Sequence, residues 1–168
     1  MTRRRVQQRA RGFQLAQTNI AELRFDDVNA PQLADFHAAL DPVHAVAEAT
    51  PGFVWRMHFD YSDPASRPVI FGRDDYLFTL SVWEDFEGLR RFVYGGAHAE
   101  IMARRREWFE RHTESYMGLW WIPAGTLPTV RDAEDRLASL RAHGPTPFAF
   151  TFREPFPAPA AAAASAGT

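Results

Sequence analysis

The sequence contains neither cysteine nor lysine, and both absences exclude whole classes of chemistry. Without cysteine there is no disulfide, thiol nucleophile, iron–sulfur cluster or thiolate-bound metal. All 19 basic residues are arginine, so a Schiff-base lysine, a lysine base and a Walker phosphate lysine are excluded as well. No run of about 18 apolar residues occurs, so nothing is expected to span a membrane. No apolar stretch follows the arginines of residues 3–11, which excludes a secretion signal.

The charges of the chain are nearly balanced. Its 21 acidic residues offset the arginines to give a net charge of −2. The excess of basic residues that would indicate nucleic-acid binding is therefore absent. We therefore expect a cytoplasmic protein without nucleic-acid or membrane partners. Of the 168 residues, 46% are hydrophobic and 14% aromatic, which is typical of one globular domain. We expect that domain to span residues 12–154, between flexible tails at 1–11 (Arg-rich) and 155–168 (Pro/Ala-rich).

Hydrophobic periodicity predicts a β-α-β-β-α-β order followed by one more helix and strand. The predicted strands are 13–23, 53–59, 76–83, 119–122 and 148–152, and the predicted helices are 33–47, 84–94, 97–112 and 131–142. Asp41-Pro42 resembles an N-cap followed by proline at the first helical position, which predicts two abutting helical pieces in the first helix. The first six elements are typical of the ferredoxin-like split βαβ arrangement.

The strand predicted at 76–83 has two largely apolar faces, Tyr76/Phe78/Leu80/Val82 and Leu77/Thr79/Ser81/Trp83. Helices on one side of an antiparallel sheet would leave the other apolar face in water. A second copy of the sheet would cover it, so we expect a two-fold homodimer. The predicted class is α+β: a ferredoxin-like βαββαβ domain with an extra C-terminal helix and strand, assembled as a dimeric α+β barrel.

Several segments resemble one uncharacterised bacterial family, a domain of unknown function in the dimeric α+β barrel (antibiotic-biosynthesis monooxygenase-like) superfamily. They are His98-x6-Arg105-x2-Trp108-Phe109, Leu119-Trp120-Trp121-x-Pro123-Ala124-Gly125, Ala149-Phe150-Thr151-Phe152 and Leu40-Asp41-Pro42-Val43. The resemblance covers residues 13–154 and implies the fold and the dimer. Its superfamily includes cofactor-independent monooxygenases, haem-binding enzymes, and small decarboxylases, lyases and cyclases. It supplies no established set of catalytic residues.

The strongest site signal lies on the helix predicted at 97–112. On a regular helix, His98 and Arg105 fall within about 20° of each other, in the middle of an apolar stripe that contains Met102 and Trp108. An arginine guanidinium that faces a core needs an ion-pair or hydrogen-bond partner, because burying an unpaired charge is costly. Three readings remain open: a buried acid such as Glu84 or Asp85 anchors Arg105, Arg105 and His98 face a ligand between this helix and the sheet, or the Arg105 side chain extends past the apolar stripe to solvent.

Further residues could complete such a pocket. Asn19 and Gln17 alternate with apolar residues on the first strand and face what should be core. Oxygenases of the resembled superfamily hold an aromatic polyketide with an Asn, a Trp and an Arg, and the analogous residue types here are Asn19, Trp83 and Arg105. The predicted catalytic residues are His98, Arg105 and Tyr94, with Tyr94 as proton donor. The predicted substrate-binding residues are Asn19, Trp83, His44, Trp108 and Met102.

These observations favour a cofactor-independent enzyme of secondary metabolism that acts on a small, largely apolar or aromatic metabolite, as a monooxygenase, isomerase or cyclase. One alternative is a dimer that binds a small molecule without catalysis. Another is a haem protein with His98 as axial ligand. No metal-ligand spacing is present, so we expect neither a metal nor, in the leading hypothesis, any cofactor.

Overall fold

The computed structural model describes residues 12–61 and 63–160, which form four strands and four α-helices in the predicted order. The strands are β1 (Phe13–Glu22), β2 (Phe53–Arg56), β3 (Tyr76–Trp83) and β4 (Met117–Pro123). The helices are α1 (Ala34–Ala49), α2 (Phe86–Val93), α3 (Gly96–Arg104) and α4 (Val130–His143). The predicted tail at residues 1–11 lies outside the described residues.

The four strands form one antiparallel sheet in the order β2-β3-β1-β4. This is the strand order of the ferredoxin-like fold, with two βαβ halves interleaved so that β1 and β3 are central. β2 and β4 pair on either side of them. The ferredoxin-like α+β class expected from the sequence is confirmed.

The first three helices cover one side of the sheet, here called the helix face. Alternate residues of β1, β3 and β4 point to it, as side chains in a strand must. They form two separate apolar clusters, one containing Leu15 and Trp83 with Ala47 of α1 and Leu89 of α2, the other containing Leu77 with residues of α1 and α3. The helix face therefore has apolar packing at both ends of its strands.

The opposite side, here called the α4 face, is covered within the same chain. Its fully buried apolar side chains include Ala16, Ile20, Phe78, Leu80, Val82 and Trp120, and they pack against Ala133 and Leu137 of α4 and against Ile70. A Cβ added at Gly118 would meet the Leu140 side chain at 3.1 Å, so glycine at this position lets α4 approach the sheet closely. A capping box of Thr129 and Asp132 fixes where α4 begins.

The cover that α4 provides removes the reason for the predicted homodimer. The second apolar face of β3 is buried by α4, so it does not require another subunit. The dimer itself stays a prediction, and sedimentation of the purified protein at several concentrations checks it.

Four local features differ from the sequence expectations. Helix α1 runs through Pro42 as one helix rather than two pieces. The predicted helix at 97–112 ends at Arg104, and Phe109 instead pairs with Leu23. The strand predicted at 148–152 is reduced to one bridge, between Leu119 and Phe150. The folded part extends past residue 154, because the carbonyl oxygen of Phe156 accepts a hydrogen bond from Trp121 Nε1 at 2.9 Å.

Candidate functional site

A band of polar side chains crosses the middle of the helix face, between its two apolar clusters. Gln17 of β1 lies opposite Ser81 of β3, and Asn19 lies opposite Thr79, so the register makes two adjacent polar pairs. Arg56 of β2 extends the first pair, because it lies opposite Ser81 on the other side. We call these five residues the polar band. All five are half-buried, in a sheet whose neighbouring positions are apolar.

The hydrogen bonds of the band have a defined direction. The indole N–H of Trp83 can only donate, and it donates to Ser81 Oγ at 3.0 Å. Ser81 Oγ in turn donates to Gln17 Oε1 at 2.9 Å. In the second pair, Thr79 Oγ1 donates to Asn19 Oδ1. Both amide oxygens thus accept from hydroxyl donors, and the amide NH₂ groups of Gln17 and Asn19 have no hydrogen-bond acceptor within residues 12–61 and 63–160.

Helix α1 adds a charged pair and a histidine to one side of the band. Arg56 Nε donates to Glu48 Oε1 at 2.7 Å, with only 20% of the Arg56 side chain exposed. The Arg56 guanidinium holds the pKa of the Glu48 carboxyl below its usual range. Burial, and next the nearby Arg56 charge, lower the pKa of His44. His44 is therefore mainly neutral at pH 7, beside a fixed positive charge.

His98 lies in the first turn of α3, in contact with α2. Its ring is 4.8 Å from that of Phe92, which stacks on Trp83 at 5.5 Å. Nδ1 lies 2.9 Å from the Val93 carbonyl oxygen, which can only accept, so the ring proton lies on Nδ1. Burial lowers the pKa of His98. The neutral ring therefore carries its lone pair on Nε2, which is the state of a general base or a metal ligand.

The prediction that Arg105 lies on the buried face of the helix is wrong. Helix α3 ends at Arg104 and a 3₁₀ turn, Arg105–Glu107, follows it, so Trp108 lies beyond the helix and the predicted apolar stripe around Arg105 does not form. Arg105 is exposed, and its Nη1 donates to the Met102 carbonyl oxygen at 2.8 Å. Asp85, one of the acids considered as its anchor, instead accepts a hydrogen bond from the Gly88 N–H at the start of α2. The exposed position of Arg105 avoids the cost of burying an unpaired guanidinium in the core.

The other predicted site residues are distributed over the helix face. Trp83 is buried and contacts the band through Ser81. Trp108 is buried in the cluster at the opposite end, under the Arg104 guanidinium. Met102 is half-buried on α3, away from the band's hydrogen bonds. Tyr94 is 65% exposed at the end of α2, next to Phe152. Neither Arg105 nor Tyr94 belongs to the polar band, and their predicted catalytic roles have no geometric support.

Sequence reasoning missed Thr79, Ser81 and Arg56. A signal for two of them was present, because Thr79 and Ser81 are the polar residues of an otherwise apolar strand face, with the same two-residue spacing as Gln17 and Asn19. Placing the two strands side by side in antiparallel register, with Gln17 opposite Ser81 and Asn19 opposite Thr79, would have predicted the polar band. Arg56 carried no such signal, since polar residues at sheet edges are common.

Three half-buried histidines make stability depend on pH. The pKa values of His44, His98 and His112 are all lowered below 6.5, with burial as the main cause. As the pH falls through 6.5, the unfolded chain therefore binds protons before the folded chain does. The free energy of unfolding is expected to decrease from about pH 7.5 to about pH 5.5, measured by urea denaturation.

A His98→Gln variant should show a smaller decrease over the same pH range. His143→Gln, which changes an exposed residue at the end of α4, serves as the matched control. An unchanged pH dependence in His98→Gln would contradict the assignment of a depressed pKa to this histidine.

The fold and the band together define a ferredoxin-like α+β protein with a half-buried polar site beneath its helix layer. The family described as "Domain of unknown function (DUF3291)" matches residues 14–166, so the chain belongs to that family. This confirms the resemblance to a domain-of-unknown-function family. No curated protein matches the chain in sequence. None of the helices in residues 12–61 and 63–160 is long and apolar enough to cross a membrane.

Solved structures with a similar arrangement are distant in sequence. A protein of unknown function from Nitrosomonas europaea is 16% identical, over 70% of this chain and 96% of its own, with a TM-score of 0.44. A point mutant of a cofactor-independent oxygenase from Streptomyces nogalater is 16% identical, over 69% and 98%, with a TM-score of 0.42. A Dabb-family protein with a ferredoxin-like fold from Mesorhizobium loti is 13% identical, over 70% and 99%, with a TM-score of 0.41. The fold assignment rests on the strand order of this chain, and these likenesses add nothing about its reaction.

Proposed function

We propose that the protein is a cytoplasmic, cofactor-independent enzyme of secondary metabolism that acts on a small, largely apolar or aromatic metabolite. The polar band carries the proposal. Half-buried hydrogen-bonding groups between two apolar clusters suit a ligand with an apolar body and one polar, reactive part. A sheet packed only for stability would gain more from apolar residues at these positions.

The band's direction of hydrogen bonding favours a carbonyl compound as substrate. The NH₂ groups of Gln17 and Asn19 are donors, because the oxygen of each amide already accepts a hydrogen bond from a hydroxyl group. Donors fixed in advance stabilise an oxygen that becomes negative during a reaction. We propose that they hold the oxygen of an enolate or phenolate formed from the substrate.

His98 supplies the complementary group in this proposal. Its neutral ring has a basic Nε2, held by the hydrogen bond from Nδ1 to the Val93 carbonyl. It would take the proton from the carbon next to the carbonyl group, while the amide N–H groups bind the resulting enolate oxygen. Enolate formation is a step that monooxygenases, isomerases and cyclases can share. The class of reaction then depends on what the enolate meets next.

Deuterium exchange tests this proposal directly. The probe is 2-tetralone, an apolar aromatic ketone with acidic C–H bonds, incubated in D₂O and followed by proton NMR. We expect the protein to accelerate exchange next to the carbonyl, and His98→Gln to lose the acceleration while remaining folded. Oxygen uptake with the same probe distinguishes a monooxygenase from an isomerase or cyclase. No acceleration with this or related enolisable ketones would overturn the proposal.

Haem binding is the second candidate, favoured by the hydrogen bond between His98 Nδ1 and a backbone carbonyl. Axial and metal-bound histidines commonly have this arrangement, which leaves Nε2 for the metal. The absorption spectrum and native mass spectrum of the purified protein separate the candidates. A Soret band would favour haem, and a bound organic molecule without exchange activity would favour a non-catalytic binding protein.

A further inference from the structure

A cavity of about 330 Å³ opens at the end of the sheet where β1 finishes, away from the polar band. This volume lies at the lower end of the range of about 300–1,000 Å³ that is typical of small-molecule pockets. One wall is apolar, with Leu23, Phe36, Leu40 and Leu77 from β3, α1 and the segment after β1. None of the five residues of the polar band lines this cavity. The cavity is therefore a separate concave surface with its own apolar floor.

The rest of the lining is strongly acidic. It includes five carboxylates (Glu22, Asp26, Asp27, Asp74 and Asp75) and a single guanidinium, that of Arg67. Arg73 neutralises part of this charge, since its Nη2 lies 2.8 Å from Glu22 and 2.7 Å from Asp75. Asp27 accepts a hydrogen bond from the Asn29 N–H at 2.8 Å.

Two carboxylates in the lining are left without such partners. Asp26 and Asp74 are exposed at the cavity, and neither makes a hydrogen bond or ion pair within residues 12–61 and 63–160. The same described residues contain no group of three or more His, Asp or Glu side chains that could hold a metal ion. Exposed carboxylates beside an apolar wall complement a ligand that carries both an apolar body and a positive charge.

We propose that this cavity binds an organic cation, with an aromatic or aliphatic body against Phe36 and Leu77 and an ammonium group at the carboxylates of Asp26 and Asp74. Leu23 and Leu40 complete the apolar contact. The site goes beyond the proposed function, because it uses none of the residues of the polar band and needs no chemical step.

Calorimetric titration with 2-phenylethylammonium chloride tests the site, with 2-phenylethanol and 3-phenylpropionate as neutral and anionic analogues. We expect the cation to bind, the neutral analogue to bind more weakly and the anion not to bind. Raising the salt concentration to about 0.5 M should weaken binding of the cation, because exposed charges are screened at that ionic strength.

Replacing both free carboxylates, Asp26→Asn with Asp74→Asn, is expected to raise the Kd for the cation about tenfold. The matched control is Glu100→Gln with Asp135→Asn, which removes the same charge from exposed positions on α3 and α4 and should leave the Kd unchanged. Equal effects of the two double variants, equal binding of the three probes, or calcium chloride binding in place of the ammonium would each overturn the proposal. Asn19→Ala should leave this binding intact, so failure here and failure of the enolate reaction are distinguishable.

Discussion

Replacing Leu137 with alanine is expected to lower the free energy of unfolding by about 2–5 kcal/mol. Leu137 is 0% exposed and belongs to the cluster that joins α4 to the sheet. Its removal leaves a cavity between the helix and β4 that the surrounding side chains fill only partly. Urea denaturation followed by tryptophan fluorescence measures the change, since Trp120 lies in the same cluster.

The control for this experiment is another leucine in the same region of the chain. Leu127 is 56% exposed, so Leu127→Ala should change stability by no more than about 0.5 kcal/mol. If a second subunit rather than α4 covered the α4 face, Leu137→Ala would cost little. The unfolding midpoint would then depend on protein concentration. That result would again favour the predicted homodimer, with a second subunit covering the apolar α4 face.

The alternation of apolar residues was sufficient to predict the four strands and the ferredoxin-like order, because each signal depends on residues close in sequence. The position of α4 was not predictable in the same way. The sequence shows an amphipathic helix after β4, but which surface it covers depends on contacts across the whole sheet. Gly118 is the one residue that bears on the position of α4, because a glycine there leaves room for the helix to pack closely against β4. That room becomes apparent only once the sheet has formed.

The candidate site shows the same division between local and distant information. Asn19 was found because a polar residue interrupts an apolar alternation. Arg105 was misplaced because the helical projection assumed a helix continuing to residue 112. The actual helix ends at Arg104, where three consecutive arginines meet solvent and Trp108 enters a separate cluster. A projection is valid only as far as the helix extends.

The second large effect is expected for Asn19→Ala, which removes one amide donor from the polar band. The rate of exchange with 2-tetralone should fall about 10²–10³-fold, the loss typical when an oxyanion donor is removed. KM should change little, because the interaction becomes strong only when negative charge develops on the oxygen. The kinetics of Asn19→Ala, measured as separate kcat and KM values, check this expectation.

Gln14→Ala is the matched control, since Gln14 is an amide on the same strand that instead accepts a hydrogen bond from the Gly125 N–H. Its rate should equal that of the unaltered protein. Ser81→Ala should reduce kcat by less than Asn19→Ala does, because Gln17 then keeps its N–H donors but loses the hydroxyl that orients its amide. If the exchange rates of Asn19→Ala and Gln14→Ala fall equally, or if neither rate falls, the polar band does not hold the reacting oxygen. If Ser81→Ala alone abolishes activity, the serine itself contacts the substrate, and Gln17 is not the group that it positions.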